Sequence, residues 1–152
     1  MAPSTNTLLS GPSGVGKTTT AVHCMMAALK RGERATYYLF DEGLATLMSR
    51  SASLGMDFRP YLESGQLTIL QIDPAELSPG EFSSRVRVAV EQEGSCFIVV
   101  DSLNAYLQAM PGENFLLLQM HELLSYLNQQ GITTLLVLGQ HGLIGISTPT
   151  WT

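Results

Sequence analysis

Residues 8 to 21 of the chain read LLSGPSGVGKTTTA, and residues 11 to 18 within them fit the pattern GxxxxGK[ST] without a mismatch. Glycines permit the backbone angles that turn a loop around an anion, and the N–H groups of such a loop point at phosphate oxygens. The predicted helix from Gly16 adds the positive end of its dipole. A chance glycine-rich turn is the alternative, but this motif lies between a predicted strand and a predicted helix, as phosphate binding requires.

The positions of this phosphate loop, residues 11–18, have separate expected roles. Lys17 would reach the β- and γ-phosphates of a nucleotide, and the Thr18 hydroxyl would coordinate Mg²⁺. ATP and Mg²⁺ are therefore the expected ligands, and no [NT]KxD motif for reading guanine occurs in the chain. The residues predicted to bind the nucleotide here are Gly11, Pro12, Ser13, Gly14, Val15, Gly16, Lys17, Thr18 and Thr19.

Around the loop, predicted strands and helices alternate five times. Strands are expected at residues 5–10, 35–40, 67–72, 96–100 and 132–138. Four helices are expected. Two of them span residues 16–30 and 113–130, a third contains Leu44, Leu47 and Met48, and the fourth follows a capping box formed by Ser78 and Glu81. This alternation predicts one α/β domain, residues 1–152, with a doubly wound and mostly parallel sheet between two layers of helices.

Composition limits the function classes. The 152 residues are 45% hydrophobic and 14% charged with a net charge of -5, which predicts a globular domain with contacts between subunits. An acidic chain lacks the basic footprint of a nucleic-acid binder, and Lys30, Arg31 and Arg34 indicate a solvated helix end. Neither a signal peptide nor a membrane span is expected, because the N-terminal residues lack a charged n-region and no apolar run reaches about 18 residues. Cys24 and Cys96 lack zinc or disulfide spacing, so a reduced cytoplasmic compartment is expected.

Carboxylates follow two of the predicted strands. Asp101 ends the apolar strand FIVVD, where an acid beside a phosphate loop is typical of an Mg²⁺ ligand; a turn or helix cap is the alternative. Asp41 and Glu42 end the second strand, at the edge of the sheet where ligands bind in open α/β folds. One of these two acids could polarise a water for attack on the γ-phosphate, or Asp41 could cap the next helix.

The sequence assigns less specific roles to one glutamine, the histidines, and several methionines and tyrosines. Gln140 follows the fifth strand and could sense the γ-phosphate, whereas His141 is interpreted as a loop residue. Both remaining histidines, His23 and His121, lie within predicted helices and are interpreted as surface or packed residues. Core packing, rather than ligand binding, is predicted for Met25, Met26, Tyr37 and Tyr38.

In this order, the motifs resemble the RecA superfamily, and more narrowly the KaiC-like ATPases, relatives of the circadian clock protein KaiC. The resemblance covers nearly the whole chain. The segments that carry it are LLSGPSGVGKTTTA (8–21), YYLFDEGLATLMSRSASLGMD (37–57), ESGQLTIL (63–70), VVDSLNAYL (99–107) and LLVLGQHGLIG (135–145).

The resemblance implies a RecA-like fold in which the fifth strand lies between the phosphate-loop strand and the Asp101 strand. It implies that Glu42 is the general base with Asp41 as its partner, because the spacing from Glu42 to Gly55 matches that of the family's second acid. Asp101 would be the Walker B residue. Family members form hexameric rings with ATP between subunits, and some phosphorylate their own serine or threonine. The first acid here is Asp41 rather than glutamate, and the family pattern extends past both ends of the chain, so the domain is expected to be incomplete.

The motifs and the resemblance are consistent with two functions, one that of an enzyme and the other that of a binding module. The first is a Mg²⁺-dependent ATPase coupled to conformational change or signalling, with autokinase activity as a further property. A second is a module that binds ATP, scarcely hydrolyses it and presents a surface to a signalling protein. A small-molecule kinase is disfavoured because the chain has no arginine-rich lid segment. A homo-oligomer is expected for the full-length form, without membrane or nucleic-acid partners.

Overall fold

Five parallel strands form one sheet in the computed structural model, which describes residues 5–12, 16–40, 43–73, 75–104, 107 and 113–140. The strands are β1 (Asn6–Pro12), β2 (Ala35–Leu39), β3 (Leu67–Gln71), β4 (Phe97–Asp101) and β5 (Thr133–Gln140). Their order across the sheet is β1-β5-β4-β2-β3, and all four pairings are parallel. The predicted α/β fold is confirmed, and so is the position of β5 between β1 and β4.

Helices connect these strands and cover the two faces of the sheet. They are α1 (Lys17–Lys30), α2 (Leu44–Ser53), α3 (Arg59–Ser64), α4 (Pro79–Glu91) and α5 (Glu113–Gln129). The predicted capping box is present at α4: the Glu81 amide donates to Ser78 Oγ at 3.1 Å, and the Ser78 amide donates to Glu81 Oε1 at 3.3 Å. Gly32 follows α1 with φ +88, the left-handed conformation expected of a glycine that ends a helix.

Strand alternation divides the core into two clusters, one on each face of the sheet. On the α1 face, Tyr37, Leu39 and Val99 pack with residues of α1. On the other face, Tyr38 and Val100 pack with residues of α4 and α5. β2 and β4 are buried along their whole length, which explains their continuous apolar sequences.

Surface residues agree with their sequence interpretation. His23 and His121 lie exposed on helices. Arg31 pairs with Glu33 at 2.8 Å beyond the end of α1, as expected of a solvated helix end. None of the helices within the described ranges has the length and apolar character needed to cross a membrane.

Candidate active site

The predicted functional residues converge on one edge of the sheet because all five strands run in the same direction. The carboxyl ends of parallel strands share an edge, which is where open α/β sheets bind ligands. In the register of the sheet, Pro12 of β1 lies beside Gln140 of β5, and Leu39 of β2 lies beside Asp101 of β4. The start of the phosphate loop, Gln140 and Asp101 are therefore brought to the same edge by the backbone alone.

The phosphate loop leads directly into α1. Gly16 occupies the N-cap position with φ +86, which favours glycine over residues with a side chain. The amide and the hydroxyl of Thr20 both donate to the Gly16 carbonyl oxygen at 2.9 Å, which secures the first turn. Gly16 has no side chain to cap the helix, and a helix N-terminus that follows a glycine-rich loop in this way is typical of anion-binding helices. Residues 13–15 and the side chains at 11 and 12 lie outside the described part.

Thr18 and Asp101, which the sequence predicted to share a metal, are in direct contact. Thr18 Oγ1 donates to Asp101 Oδ2 at 3.0 Å, although 83 positions separate the two residues. Thr18 is half-buried and stands on the first turn of α1, whereas Asp101 ends β4 with 6% of its surface exposed. The peptide bond between Asp101 and Ser102 is cis.

Tyr37 also binds Asp101, and sequence reasoning missed this contact. Its hydroxyl donates to Asp101 Oδ2 at 2.6 Å, within the 2.5–2.7 Å range of hydrogen bonds from a hydroxyl to a charged oxygen. Tyr37 is fully buried, so its interpretation as a core residue is correct but incomplete. A signal existed in strand alternation: Tyr37 is two residues before Leu39, the neighbour of Asp101, and so shares its face. That signal requires knowing that β2 pairs with β4.

The pair of Thr18 and Asp101 fits Mg²⁺. A hydroxyl and a carboxylate are hard oxygen ligands, which Mg²⁺ prefers. No group of three or more histidine, cysteine or acidic side chains suited to a metal occurs among the described residues. Such a group is not needed, because Mg²⁺ in nucleotide sites is bound through one or two protein ligands, with phosphate oxygens and water completing its shell.

The structure describes some of the remaining predicted site residues and not others. Asp41 and Glu42 lie outside the described residues, as does His141. The chain reaches them from Phe40, whose amide donates to the Asp101 carbonyl oxygen at 2.7 Å, so the segment before the two acids is held beside Asp101. For Gln140, the structure describes only the backbone, which forms the end of β5. Lys17 and Thr19 lie half-buried on the first turn of α1.

Comparison with known proteins gives a consistent picture. The family model described as "ATPase: KaiC" matches residues 2–147. The circadian clock oscillator protein KaiC of Acaryochloris marina is 26% identical over 139 residues, covering 86% of this chain and 27% of the relative. The same-named protein of Parathermosynechococcus lividus is 28% identical over 140 residues, covering 86% of this chain and 26% of its own length.

A third relative is the circadian clock protein KaiC2 of Synechocystis sp., 29% identical over 137 residues, which cover 85% of this chain and 22% of the relative. The chain thus spans about a quarter of the length of the curated relatives it matches. The family model covers nearly all of the chain, the sheet has the expected strand order, and the two metal-ligand candidates meet at its carboxyl edge. The chain therefore belongs to the KaiC ATPase family.

Proposed function

We propose that this chain binds Mg·ATP at the carboxyl edge of the sheet and hydrolyses it. The observation that carries the proposal is the 3.0 Å contact between Thr18 Oγ1 and Asp101 Oδ2. It joins the phosphate loop to the acid of a strand far along the chain. Membership of a family described as an ATPase supports the same conclusion independently.

Each proposed site residue has a defined task. The backbone of residues 11–19 surrounds the phosphates, and Lys17 neutralises charge on the β- and γ-phosphates. Thr18 and Asp101 hold Mg²⁺, which when bound supplies positive charge to the phosphate oxygens. Glu42 orients and deprotonates the attacking water with Asp41 as its partner, and Gln140 senses the γ-phosphate. Coupling to conformational change, autokinase activity, a signalling partner and a hexameric full-length form remain part of this proposal.

Lys17 provides the test of nucleotide binding. A charge-assisted hydrogen bond contributes about 1.5–3 kcal/mol, so Lys17→Ala is expected to weaken binding of a non-hydrolysable Mg·ATP analogue by about 10-fold to 100-fold. Isothermal titration calorimetry measures this directly. Lys30→Ala is the matched control, because Lys30 is exposed at the opposite end of the same helix. Equal affinity in parent and Lys17→Ala would exclude the phosphate loop as the binding site.

Hydrolysis is tested at the two acids. Glu42→Gln preserves the shape of the side chain and removes the base, so kcat is expected to fall by about 10²-fold or more while the nucleotide still binds. Asp41→Asn is the matched variant. If Asp41→Asn abolishes turnover and Glu42→Gln does not, the roles of the acids are reversed. If the parent binds Mg·ATP and turns it over no faster than Glu42→Gln, the chain is a nucleotide-dependent binding module.

A further inference from the structure

From the contact between Tyr37 and Asp101, we infer that the Tyr37 hydroxyl is a positioning group for magnesium binding. This inference rests on the proposed nucleotide site and adds a residue from the hydrophobic core to it. Tyr37 does not touch the nucleotide in this role. It acts through Asp101, whose carboxylate it holds toward Thr18.

The first argument is the geometry of Asp101 Oδ2. This one oxygen accepts hydrogen bonds from Thr18 Oγ1 at 3.0 Å and from Tyr37 Oη at 2.6 Å. The two donors come from different elements, α1 and β2. Thr18 belongs to the phosphate loop and is expected to bind Mg²⁺ in the nucleotide complex. Tyr37 is the middle residue of β2, so its contact with the carboxylate does not depend on the phosphate loop.

Burial makes the tyrosine contact strong and rigid. Tyr37 is fully buried and Asp101 is 6% exposed, so water competes little for this hydrogen bond. The Tyr37 ring is fixed by packing between β2 and α1, within the cluster that contains Met25, Leu39 and Val99. A tyrosine so restricted costs little additional entropy to hold its hydroxyl in place. Asp101 is thereby oriented before any ligand arrives.

Groups that orient a metal ligand affect metal affinity although they lie outside the coordination shell. Loss of such a partner typically weakens metal binding by about 10-fold to 100-fold. Without the tyrosine donor, the Asp101 carboxylate would lose a buried hydrogen bond that orients it, and its charge would be less well stabilised. We therefore expect Tyr37→Phe to weaken Mg²⁺ binding in the nucleotide complex.

The neighbouring tyrosine offers a matched control. Tyr38 is equally buried, but it points to the opposite face of the sheet and packs edge-on against Phe82 at 5.2 Å between ring centroids. Its hydroxyl has no hydrogen-bond partner among the described residues. Burial raises the pKa of this phenol, so the group stays neutral. Tyr38→Phe removes the same atom from the same strand without touching Asp101.

The test is a binding titration that requires no turnover. A fluorescent, non-hydrolysable ATP analogue is titrated with Mg²⁺ to obtain the midpoint of the Mg²⁺-dependent increase in affinity, and its Kd is measured separately in EDTA. Tyr37→Phe is expected to raise the Mg²⁺ midpoint about tenfold while leaving the Kd in EDTA unchanged. Tyr38→Phe is expected to keep both parental values. Parental midpoints in both variants would overturn the inference while leaving the proposed function intact.

A second arm separates positioning from a general loss of structure. In an Asp101→Asn background, Tyr37 no longer orients a charged ligand, so Tyr37→Phe is expected to change the Mg²⁺ midpoint less than about twofold. An undiminished effect in that background would show that Tyr37 acts through the fold rather than through Asp101, and would overturn the inference. A parent chain that binds the nucleotide without any dependence on Mg²⁺ would overturn the proposed metal site and this inference together.

Discussion

Buried polar groups lie at both ends of the parallel strands, but the two sets of groups differ in charge. The strands finish at the carboxyl edge of the sheet and begin at its amino edge. At the carboxyl edge, Thr18 and Tyr37 donate to the carboxylate of Asp101. At the amino edge, the hydroxyl of Thr36 donates to Ser95 Oγ at 3.0 Å, and Ser95 Oγ donates to the Phe97 carbonyl oxygen at 3.3 Å. At the amino edge, the neutral hydroxyls of Thr36 and Ser95 are satisfied by each other and by the backbone, whereas the carboxyl edge keeps an acid out of water.

The amino edge also supports the end of α1. Gln66, which precedes β3, donates from Nε2 to the carbonyl oxygens of Leu29 at 2.7 Å and Glu33 at 2.8 Å. The Leu29 carbonyl lies in the last turn of α1, where carbonyls lack the usual amide partner four residues on, and the Glu33 carbonyl lies just beyond the helix. The polar contacts at the amino edge are therefore explained by their contribution to the stability of the fold. Taking a carboxylate out of water costs free energy through desolvation, so the buried Asp101 is better explained by a role in the site than by stability.

The largest expected effect that would test this contrast is at Asp101. Asp101→Asn keeps the shape of the side chain and an oxygen that can accept from Tyr37 and Thr18, but it removes the charge expected to hold Mg²⁺. Turnover of Mg·ATP is expected to fall by at least about 10²-fold, the factor that corresponds to several kcal/mol of lost charge stabilisation. In the absence of nucleotide, the free energy of unfolding measured in urea is expected to change by less than about 1 kcal/mol. The weaker hydrogen bonds of the neutral amide are offset because the cost of burying a charge is removed.

The opposite result at Asp101 would remove the distinction between the edges. A variant that retains parental turnover and unfolds far more readily would place Asp101 with the structural groups of the amino edge. Saturating Mg²⁺ should be used in the turnover assay, so that a simple loss of metal affinity is distinguished from a loss of kcat.

A smaller and converse effect is expected at Gln66. Gln66→Ala removes the side-chain donor from two carbonyl oxygens, that of Leu29 in the last turn of α1 and that of Glu33 just beyond the helix, which is expected to lower the free energy of unfolding by about 1–2 kcal/mol at this half-buried site. Nucleotide affinity of the folded protein should stay at the parental value, because Gln66 lies at the far edge of the sheet. Urea denaturation and calorimetry measure the two quantities.

Gln92→Ala is the matched control for Gln66→Ala, because Gln92 is an exposed glutamine at the end of α4. It is expected to leave both quantities near the parental values. A loss of nucleotide affinity in Gln66→Ala alone would show that the amino edge is coupled to the site and would contradict the difference between the two edges.

Local sequence predicted most of the fold because the elements are long or strongly patterned. The bounds of α1 and the capping box of α4 follow from residues within a few positions of each helix end. Strand ends shift by up to two residues: β1 extends to Pro12 rather than residue 10. The helix α3 was not predicted, because its six residues are too few to show a helical period.

The candidate site was predictable in part. Thr18 and Asp101 each follow from their place next to a strand or loop, and the family pattern joins them. Tyr37 could not be recognised in this way, since a tyrosine in an apolar strand has the same local signature whether its hydroxyl is bonded or not. Tyr38, its neighbour in the sequence, has that signature and makes no such contact among the described residues.

By itself, the sequence determined that the chain is an α/β domain with a phosphate loop and belongs among KaiC-like ATPases, since these properties are written in short contiguous motifs. Tertiary structure alone decided which tyrosine reaches the site. β2 pairs with β4 in a register that sets Leu39 beside Asp101, and the resulting contact joins residues 64 positions apart. Pairing between distant strands depends on the packing of the whole sheet, so no local pattern in either strand encodes it.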